Sequence, residues 1–234
     1  MIKKKNTLKY ACVDNRFQKL SPIKNSIPDW YKEMSQYQNG DKTLRFLPQR
    51  NLTIKHCLPF LDALTSGYQI PLHTDLLVKQ FPDGPQLSWG ESSRPPVGPR
   101  DSSLAPNFPM YNGFATNQHF VWHHTAVIKL PKGYSALYTH PLNRYDLPFL
   151  TLSAVVDNDW AVGNGNVPFF ISDTFEGVIP KGTPIIQVIP FKRESWYSKE
   201  EPSLLEENAT HLFNSISTLS GWYKKTFWNK KTFD

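Results

Sequence analysis

The sequence predicts a mainly β protein with minor α, and three observations carry that prediction. Charged residues make up 20% of the 234-residue chain while aromatics reach 14%. Prolines, at 20, outnumber the 12 glycines, a balance that suits a compact protein with ordered loops better than a helical bundle or a disordered chain. From Trp122 to Trp196 the chain runs as short apolar stretches bounded by Pro, Gly and Asn turns, the spacing of a barrel, sandwich or clip. A chain of this length can bury a sizeable core. Three regions follow from the pattern: an N-terminal arm and short helix over 1–50, a β-rich core over 51–196 with a Pro-rich excursion at 81–108, and a C-terminal helix with a basic aromatic tail over 197–234.

Taken in order, Leu8 to Val13 predicts the first strand. Ser26 stands where it would cap a short helix, with Pro28 near the first turn and Trp30 on the buried side. Leu52 to Cys57 alternates and predicts a strand. Pro59 to Thr65 predicts a helix stopped by Gly67, and Tyr68 to Val78 predicts a strand. Between Phe81 and Phe108 the density of Pro, Gly and Ser, including Arg94-Pro95-Pro96 and Gly98-Pro99-Arg100, predicts a long surface excursion of the kind that often carries function.

Strands are then predicted at Phe120–Lys129, Tyr134–Thr139, Pro148–Val156, Val167–Ile171, Phe175–Ile179 and Ile185–Phe191. The turns between them include Pro131-Lys132-Gly133, Gly163-Asn164-Gly165-Asn166 and Pro180-Lys181-Gly182, in which Pro fixes φ and Gly supplies a positive one. Ser203-Leu204-Leu205-Glu206 has the form of a capping box. It opens a helix on which Leu205, Leu212, Phe213, Ile216 and Leu219 share one face, with Gly221 as a stop. That face is expected to lie on the sheet or on a neighbouring subunit. The following Trp222 to Trp228 is aromatic and basic, a composition that packs back on its own domain or grips a partner, RNA or a membrane surface.

The net charge of +6 is unevenly placed. Residues 1–24 carry seven basic side chains, Lys3, Lys4 and Lys5 among them, against Asp14 alone, and residues 222–234 carry four lysines against Asp234. The body between the ends is therefore net acidic. A nucleic-acid groove on the core wants the reverse, so any such contact is expected from the basic tails. No run approaches the ~18 apolar residues of a membrane span. The basic start has no apolar h-region after it, so no signal peptide is expected. Cys12 and Cys57 lack metal-site spacing and read as reduced thiols of a reducing compartment.

Candidate chemistry is sparse. His123 and His124 are adjacent on a predicted strand and point to opposite faces. His73-Thr74-Asp75 has His-x-Asp form, and with His140 and Arg144 it sketches a non-haem iron oxygenase site. No nucleophile elbow, Walker loop, Rossmann fingerprint or His-Glu-x-x-His helix is present, and no metal ligand set is expected.

The strongest pattern is Val155-Val156-Asp157-Asn158-Asp159-Trp160, followed by Gly182-Thr183-Pro184-Ile185-Ile186-Gln187-Val188. In order and spacing this half resembles the dUTPase and dCTP-deaminase fold, where an Ile-Asp-x-Asp-Tyr turn precedes a Gly-Asp-x-Ile-Ala-Gln strand entry. The resemblance implies a β-clip or distorted barrel, and oligomers of which a trimer is one form. It implies Asp157 as the water-activating carboxylate, Trp160 as the stacking aromatic and Gln187 as the family glutamine. Ser66-Gly67-Tyr68-Gln69-Ile70 resembles the family's first motif, which places Tyr68 beside a ligand. The departures are specific. Gln69 replaces the Asp associated with magnesium, His140-Pro141-Leu142-Asn143-Arg144 replaces an Arg-Ser-Ser motif and leaves Arg144 as the nearby cation, and the Gly-rich phosphate arm is absent. A diphosphohydrolase needs those groups to hold Mg²⁺ and a charged leaving group.

A second resemblance spans more of the chain. Cys57-Leu58-Pro59-Phe60-Leu61-Asp62-Ala63, Pro131-Lys132-Gly133-Tyr134-Ser135, Pro141-Leu142-Asn143 and the block Gln187 to Trp196 are similar to an uncharacterised family of marine tailed-phage and bacterial proteins. It implies an origin in the virion or the host cytoplasm and no particular activity. The missing catalytic groups, the long Pro-rich excursion and the two basic aromatic tails lead to the expectation of a non-catalytic binding or assembly protein of phage type, homo-oligomeric or bound to a phage or host protein and without cofactor. The competing expectations are a divergent nucleotide hydrolase using Asp157 with Mg²⁺, and an iron site at His73, Asp75 and His140.

Overall fold

A computed structural model describes residues 6–42, 51–92, 94–104, 113–114, 119–163, 165–217 and 222–234. In chain order its strands are β1 (Lys9–Cys12), β2 (Ser21–Pro22), β3 (Tyr68–Pro71), β4 (Leu76–Phe81), β5 (Gly84–Trp89), β6 (Val97–Arg100), β7 (His119–Trp122), β8 (Ala126–Lys129), β9 (Tyr134–Thr139), β10 (Phe149–Thr151), β11 (Ala154–Val156), β12 (Val167–Ile171), β13 (Gly177–Ile179) and β14 (Pro184–Lys192). The helices are α1 (Asp29–Glu33), α2 (Leu58–Thr65), α3 (Leu204–Ser217) and α4 (Trp222–Thr226). The protein is mainly β, as its sequence predicts, and among the described residues its sheets do not close into a barrel.

Two compact units result: Met1–Ser26 with Ser66–Arg193 and Phe233–Asp234, and Ile27–Thr65 with Glu194–Thr232. The first holds all the sheets, ordered β11-β9-β14-β3-β2, β10-β12-β7-β6, β13-β4-β5 and β1-β8. Among the described residues every strand pairing is antiparallel. At the centre of the largest sheet lies β14. Its first five residues are all buried, which is why Pro184 to Val188 reads as a nearly continuous apolar run and does not alternate.

The core of this unit gathers Ile70, Leu72, Leu76, Ile128, Phe149, Phe169, Ile171 and Ile186 around Trp122. The Trp122 indole stacks on Phe169 with centroids 3.5 Å apart and meets the edge of Phe149 at 5.1 Å. Its one donor, Nε1–H, donates to Thr151 Oγ1 at 3.0 Å, and that hydroxyl donates onward to the Ile185 carbonyl at 2.7 Å. The most buried indole thereby has its polar atom satisfied.

The opposite face of the five-stranded sheet is polar along one row. Ser21 opposes Gln69, Gln69 opposes Gln187, and Gln187 opposes Thr139. Directly opposed residues of antiparallel strands project to the same face, so a polar seam crosses the sheet, ending where Thr139 and Ser153 hydroxyls meet at 2.7 Å. Gly67 leads the chain into this sheet. Its φ is +79°, and a Cβ there would lie 2.2 Å from the Val188 carbonyl oxygen, so both conformation and space demand glycine.

In the second unit α1 and α2 meet through Tyr31 and Phe60, stacked at 5.9 Å, with Trp30 edge-on to both. His211 and Trp222 each approach Phe227 at 4.9 Å, joining α3 to α4. Asp62 accepts from Trp228 Nε1 at 3.0 Å and from Lys231 Nζ at 2.7 Å, so the basic aromatic tail folds back within its own unit. Among the described residues no helix is long and apolar enough to cross a membrane. Cys12 and Cys57 are free thiols.

Several elements differ from the sequence expectation. The N-cap of α1 is Pro28, not Ser26, and Tyr31 is its buried aromatic while Trp30 is half-buried. Leu52 to Cys57 is not a strand: Thr53 Oγ1 accepts the Lys55 N–H and winds Ile54–His56 into a 3-10 turn, the local side-chain competition that Thr favours. Tyr68–Val78, Phe120–Lys129 and Pro148–Val156 each divide into two strands. The excursion contains β5 and β6; β4 and β5 form a hairpin closed by Phe81 and Gly84, while Ser93 and residues 105–108 lie outside the described residues. The capping box does not form among the described residues: the Glu206 N–H donates to the Ser203 carbonyl at 3.2 Å, and the Ser203 hydroxyl donates to Glu201 at 3.1 Å. Leu205, Leu212 and Phe213 face solvent, and the Ile216 side chain and Leu219 lie outside the described residues, as do Asn164, Lys3, Lys4 and Lys5.

Candidate functional site

Asp157 sits in the turn after β11. The turn is closed by Trp160 N–H and Ala161 N–H, both donating to the Asp157 carbonyl at 3.0 and 2.9 Å. Its carboxylate accepts the Ser135 hydroxyl at 2.6 Å and pairs with Arg193 Nη1 at 3.0 Å. Asp159, two residues on, accepts Arg193 Nη1 at 2.8 Å, a second close bond from Nη2, and the Gly133 N–H at 2.8 Å. Lys129 Nζ donates to the Asp159 backbone carbonyl at 2.6 Å. Asp157 is 60% exposed at its side chain and Asp159 only 1%.

These contacts set the chemistry. The Ser135 hydroxyl and then the Arg193 guanidinium hold the Asp157 carboxyl below its ordinary value. Arg193, joined by the Gly133 N–H, holds Asp159 at about 2. A carboxylate already bonded to a hydroxyl and a guanidinium is a weak proton acceptor. Trp160 is exposed beside this turn.

Gln187 is fully buried. Its Oε1 accepts the Leu142 N–H at 2.7 Å and its Nε2 donates to the Ser66 carbonyl at 2.7 Å, so the amide clasps the loop after β9 to the entry of β3. Gln69 Nε2 donates to Ser21 Oγ at 3.0 Å, and Gln69 Oε1 is buried with no hydrogen-bond partner among the described residues. Magnesium asks for several hard oxygens, carboxylate among them. A single neutral amide oxygen does not fit that need, and among the described residues no three His, Cys, Asp or Glu side chains converge as a metal group.

The remaining predicted residues are dispersed. The Tyr68 hydroxyl donates to the Asp234 carbonyl at 3.4 Å and its ring meets Phe233 edge-on at 5.9 Å. Arg144 binds both oxygens of Asp146 and donates to the Ser26 carbonyl at 3.2 Å. His140 Nε2–H donates to the Arg144 carbonyl at 2.9 Å while Nδ1 accepts the Thr151 N–H at 3.4 Å. Both ring nitrogens are thus occupied in the neutral form, which burial favours by pushing the imidazole down. His73 Nε2–H donates to the Arg94 carbonyl at 3.0 Å, and Asp75 accepts the Lys181 N–H at 2.6 Å. His73, Asp75 and His140 each serve separate backbone partners.

Sequence reasoning missed Arg193 and Ser135. The signal for Arg193 was its place in the block Gln187 to Trp196; nothing local links it to residues 157 and 159. His123 and His124 also depart from expectation, because β7 ends at Trp122. His123 donates from Nδ1 to the Pro95 carbonyl at 3.2 Å, and His124 is buried, which pushes its imidazole down to about 4 with a further contribution from Arg94.

No family model matches the chain, and no curated protein does. Among solved structures, a mutant dUTPase of Staphylococcus bacteriophage 80alpha is similar with a TM-score of 0.39 and 11% identity, over 84% of this chain and 97% of that one. A mutant dUTPase from phage phi11 of S. aureus, described with a structural Mg(II) ion, gives 0.37 and 12% over the same shares.

Proposed function

We propose that this chain is a non-catalytic binding or assembly protein of phage type, working in the virion or the host cytoplasm and associating with further copies of itself. The observation that carries this reading is the set of exposed large apolar side chains in the segment after β14 and on α3. Trp196 and Tyr197 are 86% and 89% exposed, and Leu205 and Phe213 on α3 are 74% and 69% exposed. Exposed large apolar side chains of this kind, gathered into a patch, are the mark of an interaction site. Aromatic residues are the usual anchors of such sites. The engaged state of Asp157, the buried clasp of Gln187 and the amide at Gln69 support the non-catalytic half of the reading. Kinship with the dUTPase fold rests on the motif around Asp157 and the strand entry at Gly182 to Gln187.

Light scattering of the full chain tests it. A homo-oligomer is expected, and Leu205→Glu combined with Phe213→Glu should return it to monomer without altering its circular dichroism. A wild-type monomer across micromolar concentrations, with no copies in virions by mass spectrometry, would overturn the assembly half. The divergent-hydrolase reading draws on the exposed Trp160 beside Asp157. It requires pyrophosphate release from a deoxynucleoside triphosphate with Mg²⁺ that Asp157→Asn abolishes; that result would overturn the non-catalytic half.

A further inference from the structure

Away from the Asp157 turn, the chain before β6 is tied down at three successive carbonyls. The Arg94 carbonyl accepts from His73 Nε2 at 3.0 Å, the Pro95 carbonyl from His123 Nδ1 at 3.2 Å, and the Pro96 carbonyl from the His123 backbone N–H at 2.9 Å. A carbonyl only accepts, so each imidazole has its one proton committed. What remains on each neutral ring is an acceptor: Nδ1 of His73 and Nε2 of His123.

The groups gathered at these rings are cationic. Arg94 lies near enough to act electrostatically on His73, His123 and His124; Arg100 acts on His123, and Lys181 on His73. The point a Gly98 Cβ would occupy is 2.8 Å from His123 Nε2 and 3.5 Å from Arg100 Nη1. Glycine at 98 therefore leaves room for the His123 ring and brings the guanidinium to the same spot. Phe17 covers His73 from another side, with rings 4.4 Å apart. The carboxylate of Asp75 is directed to the Lys181 backbone N–H, not to these imidazoles. Each of the charged neighbours acting on His73, His123 and His124 is positive, in a chain body that is net acidic outside its ends.

We propose that Arg94, Arg100, Lys181, His73 and His123 form a binding site for a phosphate-class oxyanion. Arginine supplies forked donors that match phosphate oxygens, and lysine adds a point charge. Protonation of the acceptor nitrogens converts both imidazoles into donors toward the anion while their carbonyl bonds persist. Binding is coupled to proton uptake, so affinity rises as pH falls, and bound phosphate raises the titration midpoints of both rings.

Titration of isotopically labelled full-length chain with inorganic phosphate, at about pH 6 and about pH 8, reads the histidine ring resonances directly. The expected result is saturable shifts of His73 and His123; with sulfate as a parallel oxyanion, whose charge is the same at both pH values, affinity is expected on the order of tenfold tighter at the lower pH. Lys181→Gln, at an exposed position, and Arg100→Gln should each weaken binding severalfold with unchanged melting. Gly98→Ala should weaken it by displacing the His123 ring. Absence of saturable shifts at tens of millimolar phosphate would overturn the proposal, as would equal affinity in the Lys181 and Arg100 variants. A nucleoside monophosphate and a short oligonucleotide without terminal phosphates, run as parallel ligands, separate a monoester source from a phosphodiester backbone; tighter binding of either supports the site.

Discussion

Arg193 closes a gap of more than thirty residues to place its guanidinium against the carboxylate of Asp159, a side chain almost wholly shielded from water. The same guanidinium reaches Asp157 and the Ser135 hydroxyl. One cation thereby ties the residue that follows β14 to the turn after β11 and to β9.

Removal of that cation exposes the asymmetry of buried ion pairs. Arg193→Gln leaves Asp159 with Gly133 N–H as its main donor, and an uncompensated shielded charge is more destabilising than the intact pair is stabilising. A clear drop in melting temperature is expected. Arg193→Gln combined with Asp159→Asn should melt higher than Arg193→Gln alone; a double variant no better than the single one would show that the pair is not coupled.

Acid should unfold the chain in two stages. His124 titrates near 6.5 when unfolded and at about 4 when folded. Its contribution is fully present above about pH 6.5 and is lost as pH falls toward 4, amounting to about 3 kcal/mol. His73, His123 and His140 are shifted in the same direction by burial. Asp159 follows: its stabilisation is present above about pH 4 and is lost as pH falls through about 2. Melting curves in phosphate-free buffers from pH 8 to 2 check both stages, and His124→Phe should flatten the upper one.

Gln187→Leu keeps the volume and removes both amide bonds. The Leu142 N–H and the Ser66 carbonyl then lie against an apolar side chain without their partner, at a loss on the order of 3 kcal/mol. Urea unfolding of the purified variant measures it, and a shift below about 1 kcal/mol would mean that water reaches these groups.

Two glycines separate conformation from space. Gly133 has a φ of +85° with open surroundings, so Gly133→Ala should lose about 1 kcal/mol from backbone conformation alone. Gly67→Ala adds a collision with the Val188 backbone and is expected to give little or no soluble protein. Comparable yields and melting temperatures for the two variants would contradict the steric account.

Strands bounded by strong punctuation were legible in the sequence. β9 and β12 have the limits their flanking turns predict, because Pro131-Lys132-Gly133 and the Gly-Asn run before Val167 stop pairing whatever the tertiary context. Where a long apolar run bends without Gly or Pro, as at His123 to Thr125, no local signal marks the break, and two strands read as one. The hairpin of β4 and β5 turns at Pro82-Asp83, closed by the Phe81–Gly84 pair with Gly84 at a positive φ, a turn that the surrounding prolines mask in the sequence; Pro85 is tolerated because β5 is an edge strand. At the Asp157 turn the local motif was visible, while its electrostatic state depended on Arg193. The grouping around His123 was hidden for the same reason, since His73 and His123 reach the adjacent carbonyls of Arg94 and Pro95 from loops far apart in sequence.

The placement of β14 between β3 and β9 also schedules folding. At ribosomal speeds of about 5–20 residues per second, the stretch from β3 to β14 takes on the order of ten seconds to synthesise. Throughout that interval β3 has no strand to pair with on its β14 side, and the central sheet cannot be completed on a nascent chain truncated before Pro184. Such a chain should display open β edges to chaperones or to its neighbours on a polysome, and a circular permutant that brings β14 next to β3 in sequence should shorten the exposure without altering the finished fold.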